Sequence, residues 1–131
     1  MIFVDTGAWY ASVVPSDPNH TAATQWLRAN QVPLLTTDFV LDETLTLLRA
    51  RGHAARAVAF GQELFEKQRE CIHYLLPDEI DAAWQTFCRF NDKQWSFKDC
   101  TSKVVMEKRG INTAFAFDRH FRQFGSVTVV P

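Results

Sequence analysis

Short apolar runs alternate with longer amphipathic stretches along this chain. Met1 to Val4 is a run of strand formers that ends at Asp5 and a Thr6-Gly7 turn. An unbroken apolar run of this kind suits a parallel strand covered on both faces. Ala8 to Val14 reads as a short helix closed by Pro15. Asp17-Pro18 has the form of a cap with proline at the first helical position. A helix is therefore expected from Pro18 to Ala29, with Ala22, Ala23, Trp26 and Leu27 facing inward. Pro33 to Thr36 reads as a second strand, and Thr37 or Asp38 caps the helix that follows. Gly52 ends that helix near Arg51. Leu41, Leu45 and Leu48 recur at i, i+4 and i+7 and mark its core stripe.

The alternation continues to the end. Ala54 to Lys67 is expected to be helical, with Ala57, Val58, Leu64 and Phe65 apolar. Cys71 to Leu75 reads as a third strand, and Pro77-Asp78 begins a helix through Trp84, Phe87 and Cys88. Asn91 to Trp95 is a polar break, Ser96 starts a helix to Lys108, and Arg109-Gly110 ends it. Thr113 to Phe117 is the fourth strand and Val127 to Val130 the last. Strands and helices in alternation predict an α/β, three-layer sandwich with a central, mainly parallel sheet of about five strands. Ligands in such sheets bind at the carboxyl ends of strands, near the point where strand order reverses.

Composition adds bounds. The chain has 131 residues, of which 47% are hydrophobic and 22% charged, so one folded domain over residues 1–131 is expected. Its net charge of -1 gives no global pull on nucleic acid. Local basic groups remain at Arg49, Arg51, His53 and Arg56, at Lys103, Lys108 and Arg109, and at Arg119, His120 and Arg122. Each can touch phosphate, and each is also an ordinary solvated surface. Cys71, Cys88 and Cys100 form no C-x-x-C pair, which argues against a disulfide framework or a zinc knuckle. Cys88 and Cys100 read as small core residues, and a reducing, cytoplasmic setting fits. The apolar N-terminus lacks a basic flank and carries Asp5, so it reads as a strand and not a signal peptide. No run is long enough to span a bilayer.

The chemistry sits in acids at strand ends and helix starts. Asp5 follows the first strand and Asp118 the fourth, at the edge where ligands bind. Turn formation alone would explain either one. Glu43 and Asp42 lie on opposite borders of their helix's apolar stripe, and helix geometry does not choose between them. Asp99 stands three residues after Ser96, the spacing of a capping box, which does not prevent it from facing the same cleft. Asp92 lies in the preceding loop. Converging carboxylates repel one another unless a cation joins them. Magnesium and manganese prefer oxygen ligands and can assist attack on phosphorus. No phosphate-binding glycine loop is present, and the four His show no H-x-x-x-H spacing.

Four segments together resemble the PIN-domain ribonucleases. They are Ile2-Phe3-Val4-Asp5-Thr6-Gly7-Ala8, Thr36-Thr37-Asp38-Phe39-Val40-Leu41-Asp42-Glu43, Trp95-Ser96-Phe97-Lys98-Asp99-Cys100, and Ala116-Phe117-Asp118-Arg119-His120-Phe121. The resemblance runs almost the whole chain in order and is especially similar to the VapC-type toxins of bacterial toxin–antitoxin pairs. It implies a PIN-like fold and a magnesium- or manganese-dependent endoribonuclease, usually dimeric and inhibited by a cognate antitoxin. It places the acids at Asp5, Glu43, Asp99 and Asp118, choosing Glu43 over Asp42. Thr6, Thr101 or Ser102 become expected polar supports, and Asp92 an outer-shell ligand. Cys100 stands where the family often carries a small residue such as Ala.

Two other classes compete with this expectation. A metal-dependent phosphatase acting on a small phosphoester through a covalent Asp5 intermediate would want a second acid two residues on, where Gly7 stands. A non-catalytic RNA- or protein-binding domain would leave the acids as caps and turns. The Ala54 to Lys67 helix and the Phe-rich stretches offer apolar surface for an antitoxin helix or a second copy of the chain, beyond the needs of a small core.

Overall fold

The computed structural model describes residues 1–131. Five strands form one all-parallel sheet: β1 (Ile2–Val4), β2 (Leu34–Thr37), β3 (Ile72–His73), β4 (Thr113–Phe115) and β5 (Thr128–Val130). Their spatial order is β3-β2-β1-β4-β5. Six α-helices connect and flank them: α1 (Thr6–Val13), α2 (His20–Ala29), α3 (Asp38–Ala50), α4 (Ala54–Gln62), α5 (Pro77–Arg89) and α6 (Phe97–Lys108). Every residue of β1 is buried, as a central strand with helices on both faces requires. Phe3 and Phe115, both fully buried, anchor the middle of the core, and Trp26 of α2 packs on Phe115 with ring centroids 4.3 Å apart.

The strand order fixes where a site can form. The chain builds outward from β1 to β2 and β3, then returns to place β4 on the other side of β1. The order therefore reverses between β1 and β4, and their carboxyl ends open a crevice there. The backbone N–H of Asp5 donates to the Phe115 carbonyl at 3.1 Å and ties the two strand ends together.

Local chemistry accounts for most boundaries. The Thr37 hydroxyl caps α3 by accepting from Val40 N at 3.1 Å. Gly52 and Gly110 follow α3 and α6 with φ of 85° and 66°, the left-handed conformation that closes a helix. Elsewhere the structure departs from the sequence pattern. Helix α2 begins at His20, not Pro18, because the Asp17 carboxylate accepts from Asn19 N at 2.8 Å and holds a local turn instead of capping a helix. Ala22 is exposed, one position round α2 from the buried Ala23. The helix expected to Lys67 changes at Glu63 into a wider π-helical turn. Strand β3 has only two residues, since Cys71 is drawn into the 3-10 turn before it.

Cys88 is exposed and not a core residue, whereas Cys100 is buried. Helix α5 buries Glu79 and Ala83, and Cys88 lies about 140° round the helix from Ala83, toward solvent. No helix is long and apolar enough to cross a membrane.

Candidate metal centre

Asp5 occupies the cap position of α1, but its side chain makes no capping bond. Its carboxylate is only 2% exposed and instead reaches Lys98, whose Nζ lies 2.7 Å from Asp5 Oδ1. Lys98 sits in the first turn of α6 and also lies 3.4 Å from Asp99 Oδ1 and 3.7 Å from Glu43 Oε1. One ammonium thus touches three carboxylates from three separate elements.

Asp99 serves two purposes at once. Its N–H donates to Ser96 Oγ and its Oδ2 accepts from Ser96 N, both at 3.0 Å, which is the reciprocal capping box. Oδ2 also faces His120 Nδ1 at 3.0 Å. Its other oxygen, Oδ1, is buried without a hydrogen-bond partner, because Lys98 approaches it outside hydrogen-bonding geometry. Asp118 caps the 3-10 turn Arg119–Gln123 by accepting from His120 N at 2.9 Å, and its Oδ1 lies 3.4 Å from His120 Nδ1. Ligand atoms of Asp99, Asp118 and His120 all lie within 4.8 Å of one another.

A cleft of 270 Å³ opens over this cluster, lined by Asp5, Thr6, Glu43, Lys98 and Asp118 among others. Glu43 contributes a half-exposed side chain to it, 46% accessible, whereas Asp42 is absent from its lining and borders only a neighbouring hollow that Glu43 and Lys98 also line. The structure therefore separates the two acids that helix geometry left equivalent. Thr6 Oγ1 and Ser102 Oγ are buried without partners. Thr101 Oγ1 donates back to the Lys98 carbonyl at 2.6 Å and is engaged within the helix. Asp92 does not reach the cleft; it is exposed and lies 3.7 Å from Lys93.

Burial and charge act against each other here. Burial is the largest influence on Asp5 and pushes its carboxyl above the ordinary carboxylate range, with Asp99 adding to this and Lys98 opposing it. Burial alone would lower Lys98, yet the attraction of Asp5, Asp99 and Glu43 raises it well above the ordinary lysine value. These directions conflict over a single ion pair. The charged pair is the better description, because three carboxylates share one ammonium and only one of them is half-exposed to water.

The donor set fits a small divalent cation. It consists of carboxylate oxygens with one imidazole, and it includes Asp99 Oδ1, a buried oxygen left without a hydrogen-bond partner. Sequence reasoning gives no role to Lys98 and presents His120 only as one of a basic group that can touch phosphate. Both had signals. A lysine in the first turn of a helix opposes the positive end of the helix dipole and calls for anions nearby. The Asp118-x-His120 spacing places an imidazole beside a capping carboxylate. Asp17, Asn19, Tyr10 and Arg51 also line the cleft, with the Arg51 guanidinium 5.0 Å from the centre of the Tyr10 ring.

Comparison with known proteins agrees with this architecture. The family model described as the PIN domain matches residues 2–127. The chain is 37% identical over 132 residues to the "23S rRNA-specific endonuclease VapC20" of two Mycobacterium tuberculosis strains, covering 100% of this chain and 99% of that protein. The crystal structure of Mycobacterium tuberculosis VapC20, described as a sarcin-ricin loop cleaving toxin, superposes with a TM-score of 0.91 and 34% identity, each chain covered fully at 100%. FitAcB from Neisseria gonorrhoeae shares the fold at a TM-score of 0.73 and 14% identity, with 100% of this chain and 97% of that one covered.

Proposed function

Because the chain belongs to the PIN-domain family, we propose that it is a divalent-metal-dependent endoribonuclease, one nuclease domain over residues 1–131 and the toxin of a toxin–antitoxin pair. The observation that carries this reading is the meeting of Asp5, Glu43, Asp99 and Asp118 at the switch point between β1 and β4. These acids, with His120 beside them, would hold Mg²⁺ or Mn²⁺. Such an ion supplies the positive charge that acidifies a water and offsets charge growing on the phosphoryl oxygens. Asp99 is preset for its role by the capping box, which spends one oxygen and leaves the other turned inward. Arg51 at the cleft rim is placed to hold the phosphate backbone, and Thr6 offers a hydroxyl inside it. In-line attack by water leaves a 5′-phosphate and a 3′-hydroxyl.

The full-length relative is named for 23S rRNA, which makes structured ribosomal RNA the first substrate to try. The apolar groove of 640 Å³ between α3 and α4, with Leu45, Ala57, Val58 and Phe65 in its lining, is the seat assigned to an antitoxin helix. The exposed Trp84 and Phe87 of α5, stacked at 6.0 Å, suit a second copy of the chain in a homodimer. Three free cysteines suit a reducing cytoplasm.

The test is a cleavage assay on ribosomal and other structured RNAs with Mg²⁺ or Mn²⁺, with EDTA, and with Asp5→Asn. Cleavage that needs the ion and is lost in the variant supports the reading. Products ending in a 2′,3′-cyclic phosphate would contradict it, since they report attack by the ribose hydroxyl.

A further inference from the structure

Lys98 has no part in capping α6, yet its side chain is only 11% exposed and its ammonium lies within 3.7 Å of three carboxylates. Placing a lysine in the first turn of a helix, under cover, is unfavourable on two counts: the helix dipole repels it and burial strips its water. Only the acids compensate. The centre is also visibly divided. Asp99 turns Oδ1 toward Lys98 and Oδ2 toward His120, so one carboxylate joins an Asp5–Glu43–Lys98 half to an Asp118–His120 half.

We propose that Lys98 is a built-in cation of this centre: its ammonium offsets part of the negative charge of Asp5, Glu43 and Asp99 and restricts the four-acid set, with His120, to a single divalent ion. The inference rests on the metal-centre reading above. Charge balance supports it. Four carboxylates carry four negative charges, and Lys98 with one divalent ion offsets three of them. A second divalent ion would make the cluster net positive and would lie against the ammonium in a poorly solvated space. Lys98 then supplies at a fixed position the positive charge that a second ion supplies in two-metal sites, without dissociating. It is a charge-balancing residue acting through Asp5, Glu43 and Asp99.

Calorimetric titration of EDTA-stripped protein with MnCl₂ tests this, on wild type, Lys98→Met and Lys98→Arg, with melting temperatures in EDTA alongside. Wild type and Lys98→Arg are expected to bind one Mn²⁺ and Lys98→Met two. Lys98→Met is also expected to melt lower in EDTA and to recover when Mn²⁺ is added, as three carboxylates lose and regain a counter-charge. Two ions in wild type, or only one in Lys98→Met, overturns the proposal while EDTA-sensitive RNA cleavage leaves the nuclease reading intact. No ion in any protein, together with cleavage indifferent to EDTA, overturns both. If Lys98→Met does not fold even with Mn²⁺, the same count on Lys98→Gln decides.

Discussion

Lys98 Nζ lies 2.7 Å from Asp5 Oδ1, a partly buried contact between residues 93 positions apart. It joins the first turn of α6 to the end of β1, so the helix start and the strand end form one unit. The contact closes the reversal of strand order into a chemical site: β1 brings Asp5, the segment after β4 brings Asp118, and α6 brings both the cation and Asp99. Removing one member of a buried pair leaves the other uncompensated, so variants here change charge balance before they change shape.

Asp118→Asn and Asp92→Asn should separate sharply. Asp118 lines the cleft, and losing its charge should lower RNA cleavage on the order of 100-fold or more, the scale for removing one electrostatic contributor from an active site. Asp92 is exposed and outside the cleft, so Asp92→Asn should leave cleavage within about twofold and stability within about 0.5 kcal/mol. Single-turnover assays on both variants check this, and equal losses would count against the cleft assignment.

The contrast between Asp92 and Lys98 also marks what the residues alone disclose. Asp5 and Asp118 were legible because each follows an apolar run, and strand ends in a parallel sheet face the ligand edge. Asp99 was legible as a cap, and the structure makes it both a cap and a buried acid. The alternating apolar pattern foretold the parallel sheet with helices around it. The pairing of Lys98 and His120 with the acids was hidden because the partners are distant in sequence, and only the folded chain brings Asp5 to Lys98 or Asp99 to His120. Cys88 misled because its neighbours along the chain are apolar, while its direction on α5 is set by which face meets the core.

Ser96→Ala should cost stability and activity together. The Ser96 hydroxyl accepts from Asp99 N at 3.0 Å, and losing such a cap typically costs about 1 kcal/mol. The same bond orients the turn that carries Lys98 and Asp99. Cleavage should therefore fall by more than the loss of folded protein explains, with Ser96→Thr restoring both. Urea melts and cleavage rates on the two variants decide; a rate equal to wild type in the folded fraction of Ser96→Ala would sink the idea.

The α3–α4 groove makes a prediction that does not touch the chemistry. Val58 and Phe65 are 51% and 38% exposed, so charging either should change stability by only about 0.5 kcal/mol. Val58→Glu and Phe65→Glu should cleave RNA at the wild-type rate but should bind and obey an antitoxin at least tenfold less well. Titrating the inhibitor against each variant reads this directly, and unchanged inhibition would move the antitoxin to another face.

Glu79 gives the clearest pH dependence. It is buried at the start of α5, where Oε1 accepts from Leu76 N and from His73 Nε2, both at 2.8 Å, and Oε2 lies 3.4 Å from Lys108 Nζ. This is half a capping box, since Leu76 has no side-chain acceptor to return the bond. The carboxylate pins edge strand β3 to α5 and α6. Burial works to raise Glu79, but the bonds from Leu76 and His73 and the charge of His73 outweigh it and hold the carboxyl below its ordinary value of 4.5. A carboxyl depressed by folding binds fewer protons in the native state than in the unfolded chain. Its stabilisation is therefore complete above that ordinary value and is lost as pH falls through the lower folded one. Glu79→Ala should cost about 2–3 kcal/mol at neutral pH, because it strands two donors. The gap between variant and wild type should narrow as the medium is acidified below 4.5, where protonation weakens the same contacts in wild type. Urea denaturation of both proteins across that range checks the sign, and a gap that widened with acid would show that Glu79 is buried at a net cost.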